Sequence, residues 1–201
     1  MNNINTIIFD FGGVLIDWNP RHMYRDEFEE SSEMEHFLSK VCTEEWNLQQ
    51  DKGRSMAEGT RILQDKFPEH LVKIQLYYDQ WEKMIKGYIP QNVTVLRKLK
   101  EKYKLYGLTN WSAETFPIVF KRFSFFKLFD GIVISGEEKL IKPDKKIFEL
   151  ILERYHLKAK NSLFIDDNMN NIQAAKEIGF ATIHVLEKTD LKSELYALGL
   201  T

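Results

Sequence analysis

Apolar residues in this chain form two patterns, continuous runs and helical repeats. Continuous runs, without the alternation of a half-exposed strand, occur at residues 6–10, 103–108, 131–135, 162–166 and 181–186. Such runs are typical of parallel strands covered on both faces of a sheet. Apolar residues recur at helical spacing in the stretches 93–102, 144–156 and 169–180, which predicts amphipathic helices. Strands that alternate with helices in this way predict an α/β fold with a parallel sheet.

The alternation is interrupted once, directly after the first predicted strand. Residues 17–86 are rich in Glu, Gln, Met and aromatic residues and contain no further run of this type; helices are predicted at 23–32, 33–42 and 56–67. The segment is too long for an ordinary connection between a strand and a helix. We therefore predict a core domain made of residues 1–16 and 87–201, into which residues 17–86 are inserted as a helical cap.

Composition narrows the class of protein. The chain has 201 residues, of which 43% are hydrophobic and 29% charged, as in an ordinary soluble domain. A net charge of −2 predicts no basic surface for nucleic acid. The single cysteine, Cys42, excludes an internal disulfide and suits a reducing cytosol. No apolar run approaches the roughly 20 residues of a membrane span, and the stretch MNNINT at the start of the chain resembles no signal sequence. We expect a cytoplasmic protein without a nucleic-acid, membrane or obligate protein partner.

Polar residues stand where three of the predicted strands stop. The first strand ends at Asp10, and the second is followed by Thr109 and Asn110. The fourth ends in the pair at 166–167, which is Asp-Asp, and a lysine, Lys142, precedes the helix before that strand. The carboxyl ends of parallel strands share one edge of a sheet, so these groups are expected to converge. Each alone is equally a turn or a helix cap, but together and in this order they predict a ligand or catalytic site.

Four stretches carry these residues, namely FDFGGVL (9–15), LTN (108–110), IKP (141–143) and FIDDNMNNI (164–172). With them the whole chain resembles the haloacid dehalogenase superfamily, in its phosphatase branch with a helical first-site cap. The stretch QDKGRS in the cap and the two glycines after Asp10 resemble small bacterial sugar-phosphate phosphatases. The resemblance implies a Rossmann-like parallel-sheet core with a helical cap inserted after the first strand. It also implies hydrolysis of small phosphorylated metabolites, with sugar phosphates as the leading class.

The resemblance assigns a magnesium site to this edge. Asp10 would provide one oxygen to Mg²⁺, and the carbonyl of Gly12 and the carboxylate of Asp167 would provide two more. Asp166 would pair with Asp167 or hold a water at the ion. Oxygen ligands of this kind are those that Mg²⁺ prefers, and the ion would offset the negative charge of a phosphate monoester.

The resemblance also assigns roles around the phosphoryl group. Asp10 would attack phosphorus and form an aspartyl-phosphate. The hydroxyl of Thr109 and the backbone amide of Asn110 would bind phosphoryl oxygens. Lys142 would keep Asp10 ionised and stabilise the transition state. Residues that would set substrate specificity are Trp18, Asn19, Arg21, Arg25 and Arg54, each of which is equally a packing or surface residue.

One position departs from the pattern of the superfamily. Many of its phosphatases carry a second Asp two residues after the nucleophile as general acid and base, and here that residue is Gly12. Three explanations stay open: another group such as Asp17 or His22 moves the proton, the substrate has a good leaving group, or the enzyme is weak. Two alternative functions also stay open, a metal-independent haloacid dehalogenase and a phosphate-binding scaffold with little catalysis.

Overall fold

A computed structural model describes residues 4–200; residues 1–3 and 201 of the predicted core lie outside this range. The strands of the described chain are β1 (Thr6–Phe9), β2 (Ile16–Trp18), β3 (Ile85–Tyr88), β4 (Lys104–Thr109), β5 (Gly131–Ile134), β6 (Ser162–Asp166) and β7 (Ala181–His184). Its helices are α1 (Arg21–Tyr24), α2 (Ser31–Lys40), α3 (Glu44–Asp51), α4 (Met56–Lys66), α5 (Leu71–Asp79), α6 (Pro90–Leu99), α7 (Phe116–Arg122), α8 (Ser135–Glu138), α9 (Lys145–Arg154), α10 (Met169–Ile178) and α11 (Leu191–Ala197).

Five strands form one parallel sheet in the order β5-β4-β1-β6-β7. The first strand of the chain is therefore the central strand, with Ile7 opposite Leu105 on one side and Leu163 on the other. The predicted parallel α/β fold is confirmed. The predicted strand positions are also correct, with ends that differ by at most two residues.

Alternate residues of the central strand pack against two separate layers. Ile7 and Phe9 belong to one buried cluster, which continues into the aromatic interior of α1–α5 through residues such as Tyr24 and Phe37. Ile8 belongs to a second buried cluster with residues of α9 and α10. All four residues of β1 are buried, which explains why its sequence is a continuous apolar run.

Helices α1–α5 lie between two short strands that the sequence pattern did not predict. β2 and β3 pair antiparallel, with Asp17 opposite Gly87, and form a two-stranded ribbon at the place where the helical segment leaves and rejoins the core. Both strands are half-exposed and at most four residues long, so they lack the apolar run that identifies the other strands. None of the helices in residues 4–200 combines the length and apolar character needed to cross a membrane.

The helix predicted at 23–32 is wrong. Helix α1 ends at Tyr24, and residues 25–30 form turns and bends. Tertiary contacts account for the difference, because the ring of Phe28 packs 5.4 Å from Phe37 and Lys73 Nζ donates a 2.7 Å hydrogen bond to the carbonyl of Glu27. The helices predicted at 33–42 and 56–67 correspond to α2 and α4.

Candidate active site

Three neighbouring strands bring polar side chains to one edge of the sheet. Thr109 and Asp166 are the last residues of β4 and β6, and Asp10 follows β1, which lies between them. The amide of Asp10 still donates a 2.9 Å hydrogen bond to the carbonyl of Ile165, so the sheet geometry extends to the carboxylate. The convergence expected from the sequence is therefore present in the structure.

Lys142 reaches this edge from the loop between α8 and α9. Its Nζ lies 3.0 Å from Oδ1 of Asp10 and 2.7 Å from Oδ2 of Asp166, and the Lys142 and Asp166 side chains are 0% exposed. Burial alone would lower the pKa of Lys142, but the charges of Asp10 and Asp166 raise it above its ordinary value. The lysine is thus a buried, permanently charged ammonium shared by two carboxylates.

Asp166 is held in place by several donors besides this lysine. The amide of Asn168 donates to Oδ1 at 2.8 Å, and Nδ2 of Asn171 lies 3.0 Å from Oδ1 and 3.1 Å from Oδ2. A buried carboxylate needs such partners to remain charged. Asp166 therefore positions Lys142, a function that the sequence did not indicate.

The carboxylates outnumber the cations at this edge. Oxygens of Asp10, Asp166 and Asp167 all lie within 4.8 Å of one another, while Lys142 alone pairs with them in the described chain. Burial raises the pKa of Asp10 to about 7 against the attraction of Lys142, and repulsion from Asp166 and Asp167 adds to the rise. Three carboxylates and one ammonium leave an excess of two negative charges. This donor set fits a divalent cation with oxygen ligands.

Gly13 lets the Asp167 carboxylate approach the turn that follows β1. A Cβ at Gly13 would lie 2.0 Å from Oδ2 of Asp167, and the residue has φ of +67°, a conformation that favours glycine. Gly12 is different, because a Cβ there would have no atom within 4 Å. The turn itself is closed by the carbonyl of Phe11, which accepts hydrogen bonds from the amides of residues 14–16.

Thr109 and Asn110 have different surroundings. Thr109 is 1% exposed, and its Oγ1 has no hydrogen-bond partner within the described part of the chain. Asn110 instead uses its side chain, because Nδ2 donates to the Lys142 carbonyl at 2.9 Å and Oδ1 accepts from the Lys142 amide at 2.8 Å. Asn110 therefore fixes the backbone that carries the lysine. No sequence signal distinguishes this role from the binding role expected for its amide.

A small cavity of about 60 Å³ opens beside Gly12. Its lining residues come equally from the core and from the helical segment: Gly12, Asn110, Trp111, Ser112 and Thr115, and Trp18, Asn47, Asp51, Tyr78 and Trp81. The indoles of Trp81 and Trp111 meet edge to face at 5.9 Å and join the two halves of this lining. The cavity combines aromatic walls with a carboxylate at its border.

Of the five residues expected to set specificity, Trp18 lines this cavity. Three others are engaged elsewhere: Arg21 pairs with Glu35 at 2.6 Å, the Asn19 side chain accepts from the Arg21 amide, and Arg54 donates to the side chain of Gln50 at 2.6 Å. The last, Arg25, is exposed. The structure thus gives these four residues no place in the lining.

Comparisons with known proteins extend over nearly the whole chain. A model of the haloacid dehalogenase-like hydrolase family matches residues 4–179. The chain is 26% identical over 193 residues to the sesquiterpene phosphatase astK of Aspergillus oryzae, covering 95% of this chain and 94% of that protein. It is 25% identical over 220 residues to the D-ribitol-5-phosphate phosphatase of Bacteroides thetaiotaomicron, covering 96% and 97%.

A solved structure is similar over the same extent. It is a haloacid dehalogenase family enzyme from Bacteroides thetaiotaomicron in complex with magnesium and inorganic phosphate, and it superposes with a TM-score of 0.74 at 25% identity, covering 95% of this chain and 98% of that one. The similarity includes the inserted helices as well as the sheet.

Proposed function

This chain belongs to the haloacid dehalogenase-like hydrolase family, and on that premise we propose that it is a magnesium-dependent phosphatase of small phosphorylated metabolites. The observation that carries the proposal is the buried Lys142 between Asp10 and Asp166, beside a third carboxylate at Asp167. One ammonium cannot balance three carboxylates, so the edge is suited to a divalent cation and then to a dianionic phosphate.

Magnesium would be held by Asp10, Asp167 and the Gly12 carbonyl, and when bound it supplies positive charge that offsets the charge of the phosphate. Asp10 attacks phosphorus, the ester oxygen departs, and an aspartyl-phosphate forms. Water then attacks phosphorus and releases inorganic phosphate. Lys142 keeps Asp10 ionised and stabilises charge on the phosphoryl oxygens. The unpartnered hydroxyl of Thr109 donates to one of those oxygens.

Residues 17–86 form a cap in this proposal, because half of the cavity lining comes from that segment. The cavity of about 60 Å³ favours a small leaving group such as a sugar, and sugar phosphates are the proposed substrate class. The relative from Bacteroides thetaiotaomicron that acts on ribitol 5-phosphate supports this choice. The buried, unpaired Cys42 suits a reducing compartment, and we propose the cytoplasm.

The test is phosphate release from a panel of phosphorylated metabolites by the wild type, Asp10→Asn and the control Asp26→Asn, which changes an exposed residue. The proposal expects release that requires magnesium, is unchanged in Asp26→Asn and is lost in a folded Asp10→Asn. Release by Asp10→Asn at a few per cent of the control would contradict the role of Asp10. Activity that survives a strong chelator and is directed at haloacids would instead indicate a dehalogenase. Binding of phosphate without turnover of any member of the panel would indicate a scaffold.

A further inference from the structure

The proposed reaction needs a proton at the departing oxygen, and Gly12 has no side chain to provide it. The residue that lines the same cavity as Gly12 and carries a carboxyl group is Asp51, from the helical segment. We propose that Asp51 is the general acid and base of this enzyme, supplied by the cap instead of the turn after β1. The inference rests on the proposed phosphatase function.

The position of Asp51 is set by the core as well as by its own helix. It is the last residue of α3, and Asn47 one turn earlier donates from Nδ2 to its Oδ2 at 3.2 Å. Its carbonyl accepts a 2.5 Å hydrogen bond from Oγ of Ser135, at the end of β5. Ser135 in turn accepts from the amide of Trp111, which follows β4, at 2.8 Å. The end of α3 is thereby joined to two strand ends at the edge that carries the site.

Gly53 allows this close approach of the two backbones. It has φ of +103°, and a Cβ there would lie 3.0 Å from the carbonyl oxygen of Gly136. The segment 51–53 is therefore in contact with residues 135–136 of the core. A second contact, from Glu114 Oε1 to the amide of Met56 at 2.8 Å, holds the start of α4 against the same loop. A carboxyl group held in this way needs little reorganisation to serve in catalysis.

The surroundings of Asp51 suit proton transfer near neutral pH. Burial raises the pKa of its carboxyl to about 7, the Ser112 amide that faces it opposes the rise, and repulsion from Asp10 adds to it. On the side of the helical segment it faces the phenol of Tyr78. A general acid and base works best when its pKa lies near the working pH.

Asp17 and His22, the residues that the sequence offered for this task, are placed differently. His22 Nε2 and Asp17 Oδ1 pair with each other at 2.8 Å, and neither residue is part of the cavity lining. They are therefore engaged at the ribbon, while Asp51 borders the space next to Gly12.

The proton balance of the reaction is complete with Asp51. When Asp10 attacks phosphorus, the bond between phosphorus and the ester oxygen breaks, and the Asp51 carboxyl gives its proton to that oxygen so that an alcohol leaves. Asp51 is then a carboxylate. It removes a proton from the water that attacks the aspartyl-phosphate, which releases inorganic phosphate, returns Asp10 to its carboxylate form and restores the Asp51 carboxyl.

The test compares alkyl and aryl phosphates in the wild type and in Asp51→Asn. An alkoxide is a poor leaving group and needs the proton, whereas an activated phenolate does not. Asp51→Asn is therefore expected to lower kcat/KM for alkyl phosphates by about 10²- to 10⁴-fold and for an activated aryl phosphate only a few-fold. The matched control is Asp79→Asn, since Asp79 also ends a helix and accepts a hydrogen bond from the residue one turn earlier, Gln75, at 2.9 Å, but is exposed.

A second variant tests the same role by restoring the group. A side chain at Gly12 would meet no atom within 4 Å of its Cβ, so Gly12→Asp combined with Asp51→Asn is expected to recover part of the alkyl phosphatase activity. Equal losses for alkyl and aryl phosphates, or no loss, would overturn the role of Asp51. A folding defect in Asp51→Asn leaves the wild type as a probe: a weak dependence of its rate on leaving-group pKa supports an acid, and a steep one refutes it. A wild type that hydrolyses neither class would instead refute the phosphatase function itself.

Discussion

The ammonium of Lys142 donates a 2.7 Å hydrogen bond to Asp166 and lies 3.0 Å from Oδ1 of Asp10. The Asp166 carboxylate thus determines where the lysine charge stands relative to the proposed nucleophile. Both side chains of the Lys142–Asp166 pair are fully buried. A charge in this position cannot be replaced by water when its partner is removed.

Removing the buried ammonium is expected to destabilise the fold as well as to stop catalysis. Lys142→Met leaves Asp10 and Asp166 without their shared cation, and a broken buried ion pair costs about 3–5 kcal/mol. Urea unfolding at neutral pH measures the loss. The control is Lys145→Met, which removes the exposed pair with Glu177 and is expected to change stability much less because solvent screens that pair. Equal stability of the two variants would contradict the account.

Asp167 is expected to govern magnesium affinity. Its carboxylate is exposed, unlike that of Asp166, and lies in the group of three that faces the proposed ion. Asp167→Asn should raise the magnesium concentration for half-maximal activity by about tenfold or more and reduce the thermal stabilisation by magnesium. Asp190→Asn, which alters the exposed start of α11, is the control. An unchanged magnesium requirement in Asp167→Asn would show that the ion is held elsewhere.

The two neighbouring glycines after β1 are expected to differ in their tolerance of a methyl group. Gly13→Ala places a Cβ 2.0 Å from Oδ2 of Asp167 at φ of +67°, which costs about 1–3 kcal/mol and displaces the carboxylate. Gly12→Ala meets open space and should change the free energy of unfolding by less than about 1 kcal/mol. Thermal unfolding with and without magnesium distinguishes the two, and equal stability of both variants would be inconsistent with this geometry.

Asp130 makes a pH-dependent contribution to stability away from the site. Burial alone would raise its pKa, but hydrogen bonds from Lys100 Nζ at 2.8 Å and the Leu105 amide at 2.9 Å lower it below the ordinary value of 3.8. A lowered pKa stabilises the fold above pH 3.8, and the contribution is lost as pH falls through the lower value. Asp130→Asn should cost on the order of 1 kcal/mol at neutral pH. Denaturant unfolding measured down to acidic pH should show that this difference shrinks, and a constant difference would refute the assignment.

The parallel sheet and its polar edge could be predicted because each rests on local sequence. Four-residue strands such as β1 are buried on both faces, which requires a continuous apolar run, and the acids and the threonine directly follow such runs. The position of Lys142 was predictable only in order along the chain. Its pairing with Asp166 depends on how two loops meet, and hydrophobic patterns contain no information about that meeting.

Contacts between the core and the helical segment were not predictable. The ribbon of β2 and β3 is short and half-exposed, and the turn at residues 25–30 follows from packing of Phe28 against local helix preference. Asp51 is one of many acids in a charged segment, and its relation to Gly12 arises only when α3 meets the core. Sequence reasoning identified the missing acid but proposed Asp17 and His22 because they are near in the chain.

The central claim, that Asp10 forms a covalent intermediate, is tested most directly by the stereochemical course at phosphorus. A substrate whose phosphoryl group is made chiral with oxygen isotopes is hydrolysed, and the configuration of the inorganic phosphate is determined. Attack by Asp10 followed by attack of water gives two in-line displacements at phosphorus. The account predicts net retention of configuration, and net inversion would contradict it because a single direct attack by water would then have occurred.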